Sequence, residues 1–272
     1  LNTISQQIRA CIKRAVMLSG GGHAGGSLSA ADILACLYGG VLTYDPQNPE
    51  WELRDRLILS KGHSGLGLYA ALAVSGYFPT ADLDTFGMAD GYLMNHPDAH
   101  VIPGVEVSTG SLGHGLPIAC GMALAAQKKG KTHVTFCILG DGECQEGSVW
   151  EAAMFANHYE LKRLIVVVDR NRIGNDGPVD KIVTLEPFID KWRAFGFAVY
   201  EEDGHDIPAL EKRFRQLKEE ADGPYVVVAN TIKGKGLIPE IAGTGASHYL
   251  KGSSETIASM FLTGKEGEAV DL

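Results

Sequence analysis

The chain has 272 residues, of which 45% are hydrophobic and 34 are glycine, and a formal net charge of −9. That length buries a large core, and the acidic balance argues against a nucleic-acid backbone as the main partner. No apolar run reaches the ~18 residues of a membrane span, and Cys11, Cys36, Cys120, Cys137 and Cys144 lie singly with no CxxC pair, as packing thiols of a reducing cytoplasm do.

The chain opens on "LNTISQQIRACIKRAV". Its Ile4, Ile8, Ile12 and Ala15 mark one face of a helix over 3–18, without the uninterrupted apolar core of a signal peptide. Helical patterns follow at 29–38, 64–76 and 115–129. The β-branched run "VTFCIL" (134–139) reads as a buried strand, and a helical pattern over 147–158 comes next. A second strand, "LIVVVD" (164–169), precedes a helix at 187–195. The shorter "FAVYEED" (197–203), a helix at 208–221 and the strand "YVVVAN" (225–230) complete the alternation. Strands that are apolar at successive positions and separated by helices predict an α/β fold. The expected architecture is a doubly wound, mostly parallel sheet with helices on both faces. One domain is expected over 1–263, with the glycine-rich, acidic stretch Gly264 to Leu272 as a flexible tail.

Ligands of open parallel sheets gather beyond the carboxyl ends of the strands. "LGDGECQEG" (139–147) lies at such an end and sets Asp141, Glu143 and Glu146 among three glycines. Asn171, in "VVDRNRIGNDG", lies just past the next strand, which a right-handed crossover can bring alongside. A carboxylate and an amide oxygen suit a hard cation, Mg²⁺ or Ca²⁺, which leaves positions open to phosphate oxygens. Backbone N–H groups at Gly142 would serve the same phosphates. Asp and Asn are equally ordinary turn and cap formers, so spacing alone leaves both readings open.

Gly140-Asp141-Gly142 followed by Asn171 resembles the thiamine-diphosphate binding motif. Along nearly its whole length the chain resembles the N-terminal half of a transketolase, through "GGGHAGGSLSAADIL" (20–34), "RDRLILSKGHSGLGLYAAL" (54–72), "NHPD" (95–98), "PGVEVSTGSLGHGL" (103–116), "GDGECQEGSVWEA" (140–152) and "DRNRIGNDG" (169–177). The resemblance implies a domain that binds thiamine diphosphate through Mg²⁺ (Ca²⁺ or Mn²⁺ in its place), with Asp141, Asn171 and the Ile173 carbonyl as metal ligands. The cofactor-binding set it implies is His63, Gly110, Ser111, Leu112, Gly140, Asp141, Gly142, Glu143, Asn171, Ile173 and His248. Within that set, Gly110 lies against the aminopyrimidine and Leu112 forms an apolar wall. His23, His63, His96 and, on a looser alignment, His248 match active-site histidines, whose imidazoles suit proton transfer near neutrality. Glu146 matches a carboxylate that links paired active sites.

The chain shows no second α/β pattern. The resemblance therefore implies a separate C-terminal, pyrimidine-binding subunit, an α2β2 assembly, and transfer of a two-carbon ketol unit between sugar phosphates. Asn175 departs from the family, which has an apolar residue there against the cofactor ring. Outside the resemblance, Glu143 reads most simply as a solvated or helix-start charge. His205 reads as a positioning group, His100, His133 and His158 as solvated, and His114 receives no role. Lys233 and Lys235 of "TIKGKG" fit either a phosphate contact or a solvated loop. The rivals are the α subunit of a 2-oxo-acid dehydrogenase, 1-deoxyxylulose-5-phosphate synthase, a non-catalytic homologue, and a nicotinamide dehydrogenase. For the last, "GHSGLG" (62–67) offers glycines in the wrong order and with no good strand before them.

Overall fold

Strands that are apolar at every position need cover on both faces, and the central sheet has it. In the computed structural model, which describes residues 1–262, the parallel strands are Arg56–Leu59 (β2), Thr135–Gly140 (β3), Leu164–Arg170 (β4), Ala198–Asp203 (β5) and Tyr225–Asn230 (β6). Their order across the sheet is β2-β3-β4-β6-β5. Side chains alternate between two cores. Phe136, Ile138, Ile165, Val167, Val227 and Ala229 face one, while Cys137, Leu139, Val166, Val168, Val226 and Val228 face the other. The first core is covered by Asn2–Ser19 (α1), Ala31–Cys36 (α3), Gly65–Val74 (α4) and Ile207–Glu220 (α8). Gly115–Lys128 (α5), Gly147–His158 (α6) and Phe188–Ala194 (α7) cover the second. This is the doubly wound arrangement that the alternation predicts.

Three details differ from expectation. The single helix expected over 29–38 is broken into Ala24–Ser29 (α2), α3 and a π-helical turn, Leu37–Val41. A strand that sequence patterning passed over, β2, forms the edge beside β3, with Leu57 opposite Phe136 and Leu59 opposite Ile138. It is only four residues long and starts on Arg56, too short for periodicity to reveal. Finally, Gly21–Gly22 (β1) pairs antiparallel with Leu250–Lys251 (β7), joining residues near the start of the chain to residues near its end. The tail expected at Gly264 to Leu272 lies outside the described residues.

The other edge strand, β5, is the acidic one, ending Glu201-Glu202-Asp203, and charge on an edge discourages pairing with another chain. All five cysteines are buried and unpaired, as expected of packing thiols. Among the described residues, no helix is long and apolar enough to cross a membrane.

Candidate active site

Register places the strand-end groups side by side. Gly140 at the end of β3 pairs with Asp169 on β4, so Asp141 and Asn171 emerge from neighbouring strands. Asp141 Oδ1 accepts the Gly142 N–H at 2.9 Å and Oδ2 accepts the Arg172 N–H at 2.6 Å. Arg172 has φ 65°, a left-handed conformation unusual for a long side chain. Across this turn Asn171 Oδ1 accepts the Ile173 N–H at 3.1 Å. Burial, with the charge of Asp169 second, pushes the Asp141 pKa up to about 6 against the opposing pull of its two backbone hydrogen bonds.

Asp141, Asn171 and Ile173 open onto one cavity of about 290 Å³. Gly140, Gly142, Glu143, Gly110 and Leu112 line it as well, and so do His63 and His248. His23, His96 and Ser111 do not line it. Ser111 is exposed. His96 is also exposed but packs on Gly110, where an added Cβ would lie 3.3 Å from His96 Cδ2. Gly110 itself closes against Gly62: a Cβ on Gly62 would meet Gly110 N at 2.7 Å. The glycines of "GHSGLG" thus serve close packing. A strand, β2, does precede them, which corrects the sequence reading without supporting a dinucleotide fingerprint.

Two lysines in the cavity wall were given no firm role by the sequence. Lys61 is 1% exposed and forms an ion pair with Asp169, which is 0% exposed. Asp169 also accepts the Ser29 hydroxyl at 2.6 Å and the Thr231 hydroxyl, and Lys61 donates to Gly26 O at 3.1 Å. A charged residue at the end of an apolar run, the Asp of "LIVVVD", was the available signal. Lys233 is 2% exposed, not solvated, and donates to Ile173 O at 2.7 Å and Gly174 O at 3.0 Å. Burial and the charge of Lys61 lower its pKa to about 8. Lys235 is exposed.

Opposite the turns stands a group of imidazoles. Ring centroids are 5.8 Å apart for His23–His63, 5.3 Å for His23–His248 and 5.5 Å for His63–His248. The β1–β7 pairing brings His23 and His248 together, because His23 follows Gly22 and His248 lies two residues before Leu250, while His63 comes from the turn after β2. Burial first, then the neighbouring lysine charges, pushes His63 down to about 2 and His248 to about 4. His23 is lowered by burial and by His96. These rings are therefore neutral at physiological pH, and each offers one donor and one acceptor. His23 Nδ1 is buried without a partner. Among the described residues, no group of three or more His, Cys, Asp or Glu side chains is arranged to hold a metal. An ion here depends on amide and backbone oxygens beside Asp141.

The remaining expectations divide. Glu143 is 3% exposed, which overturns its reading as a solvated charge. His205 does position neighbours: Nδ1 lies 2.7 Å from Asp32 Oδ2, and Nε2 accepts the Ile232 N–H at 2.9 Å. His133 is half-buried, with an unpartnered Nδ1, rather than solvated, whereas His100 and His158 are exposed. His114 is exposed with Nδ1 3.0 Å from Leu112 O. Glu146 is exposed at the start of α6. Asn175 lines the cavity, and its amide donates to Asp176 at 2.9 Å.

Oxygen donors and neutral imidazoles around one cavity at the carboxyl edge of a parallel sheet define an α/β cofactor-binding domain. The model of the transketolase thiamine diphosphate binding domain matches residues 2–260. The chain is 46% identical over 236 residues to the 6-deoxy-6-sulfo-D-fructose transketolase subunit SqwG of Clostridium sp. (strain MSTE9), covering 87% of this chain and 86% of that one. It is 44% identical over 220 residues to an apulose-4-phosphate transketolase subunit of Actinobacillus succinogenes, covering 80% and 78%. Among solved structures, the transketolase of Leishmania mexicana superimposes with a TM-score of 0.87 at 33% identity, covering 94% of this chain and 40% of that one. This chain thus spans about two fifths of that transketolase. The chain belongs to the transketolase family, and the relatives it matches are transferases.

Proposed function

We propose that the chain, as a cofactor domain over 1–263, is the diphosphate-binding subunit of a two-chain transketolase. With a separate C-terminal, pyrimidine-binding chain, in an α2β2 assembly, it moves a two-carbon ketol unit from an anionic ketose to an aldose. The supporting observation is that one cavity is lined both by Asp141, Asn171 and Ile173 and by His63 and His248. Two relatives bear the name of subunits, and this chain covers 86% and 78% of their lengths. Their names specify a sulfo-sugar and a sugar phosphate, which supports an anionic donor without fixing which anion. The buried free thiols fit a cytoplasmic enzyme.

The donor set fits Mg²⁺: one carboxylate, one amide oxygen and one backbone carbonyl are hard oxygen ligands. Asp141, Asn171 and the Ile173 carbonyl would hold the ion, which would take the place of the Lys233 ammonium on that carbonyl, and the Gly142 N–H, now on Asp141, would meet the diphosphate. Gly110 and Leu112 would face the ring. Bound thiamine diphosphate supplies the nucleophilic carbon and the electron sink for breaking a C–C bond. The chain's own part is to orient it and to move protons on substrate hydroxyls and carbonyls. His63 and His248 stand at the cavity, with His23 and His96 beside them, and neutral rings can accept or donate. The polar Asn175 beside the ring position favours a donor with a hydroxyl or anionic group there.

The test is reconstitution. The chain purified with its partner should catalyse ketol transfer that depends on thiamine diphosphate and Mg²⁺, and the chain alone should not. Robust turnover by the single chain would overturn the two-chain reading.

A further inference from the structure

Three segments have to keep a fixed spacing around the cavity: the turn after β3, the loop leading into α5, and Ser60 after β2. All three end on one carboxylate. Glu143 Oε1 accepts the Gly113 N–H at 2.9 Å and also the Ser60 hydroxyl, while Oε2 accepts the Gly140 N–H at 3.0 Å. Ser60 Oγ in turn accepts the Gly115 N–H at 3.1 Å.

Gly113 is gripped from its other side as well. The Ser148 hydroxyl donates to its carbonyl at 2.9 Å. Its φ is +79°, and a Cβ there would lie 2.5 Å from Ser148 Oγ and 2.7 Å from Glu146 Cβ. Gly113, the residue after Leu112, is therefore held at both its N–H and its C=O by residues of the acidic turn and the helix that follows it. An ordinary helix-start carboxylate bonds the N–H groups of its own first turn. Two of the donors to Glu143 come instead from residues 83 and 30 positions away in the chain. Donors arriving at both oxygens require a side chain that only accepts, which an ionised carboxylate does and an amide does not.

We infer that Glu143 is a positioning residue that locks the Gly110–Leu112 wall to the Gly140–Gly142 turn, so that a diphosphate head and an apolar ring are held at a set separation. It acts through the backbone of those two loops and is not itself a cofactor ligand. The inference rests on the cofactor reading above, and two experiments separate the two.

The first uses the purified chain without any ligand. In Glu143→Gln the amide oxygen can stay on the side of Ser60 and Gly113, which turns the NH₂ toward the Gly140 N–H. Hydrogen exchange should then accelerate about tenfold or more in the peptide containing Gly140, with β4 and β6 unchanged. Ser60→Ala should loosen the Gly113–Gly115 peptide more mildly, and it serves if Glu143→Gln does not fold. Unchanged exchange at both places overturns the inference, whatever the cofactor proves to be.

The second uses the chain assembled with its partner, in saturating Mg²⁺. Glu143→Gln should raise the Kd for thiamine diphosphate about tenfold while changing that for inorganic diphosphate by less than about twofold, because a fragment held by one loop does not sense the spacing between two. Equal losses for both ligands would mean local damage to the turn and would overturn the inference. Failure of the unsubstituted complex to bind thiamine diphosphate would overturn the cofactor reading alone and leave the exchange result to decide the role of Glu143.

Discussion

On one side of the cavity, both oxygens of Asp141 and of Glu143 already accept hydrogen bonds from this chain, and Asn171 Oδ1 accepts the Ile173 N–H. On the other, His23 Nδ1 is buried with no partner, His248 Nδ1 lies 2.9 Å from Lys233 Nζ, and the His23 ring meets those of His63 and His248 edge to face. The first side is fixed by backbone and by the buried Lys61–Asp169 pair beneath it. The second is aimed by a short ribbon and retains unspent hydrogen-bonding capacity at His23. A site that must hold an inert head group and also handle changing protonation states benefits from this division. Fixed dipoles orient without reorganising, whereas open ring nitrogens are available to exchange protons.

Breaking the fixed side should have the largest effect. Lys61→Met leaves Asp169 charged and buried, and removal of one partner from such a pair costs about 3–5 kcal/mol. Chemical denaturation of the purified chain should register that loss. A change below about 1 kcal/mol would mean that Ser29 and Thr231 satisfy Asp169 without the lysine.

Breaking the open side should spare the fold and injure the chemistry. His23→Ala in the reconstituted enzyme should lower kcat about a hundredfold or more, while thiamine diphosphate affinity stays near its original value. If affinity and turnover fall together, the imidazole group is part of the cofactor cradle and the two sides are not separate.

The smallest effect is on stability against pH. His248, held to about 4 by burial and by Lys233, remains neutral in the folded chain while the unfolded chain takes up its proton at roughly pH 6.5. The unfolded state therefore binds more protons, so stability is complete above about pH 6.5 and is lost as pH falls toward the folded value of about 4. Urea unfolding across that window should show a shallower slope for His248→Gln. An unaltered slope would mean that the ring is solvated rather than buried against its neighbours.

Much of this molecule was legible in the residues. Runs such as Val166-Val167-Val168 and Val226-Val227-Val228 can be satisfied only by burial on both faces, so the sheet and its order of helices followed from pattern. Asp141 and Asn171 stood out because each lies just past the end of an apolar run, and the parallel register of β3 and β4 puts those two strand ends side by side as expected. Pattern could not reveal β2, whose four residues begin with a charge. Nor could it separate Lys233 from Lys235, two positions apart in one loop, of which only the first is buried.

The sequence by itself thus determined the layered α/β fold and the strand ends where chemistry gathers, because both depend on short-range patterns of polarity. Tertiary structure alone decided which charges are buried and what they hold. Glu143 illustrates the reason. Its partners, Ser60 and Gly113, lie far from it in sequence, and only the folding of three separate loops onto one point turns an apparently solvated acid into an internal strut.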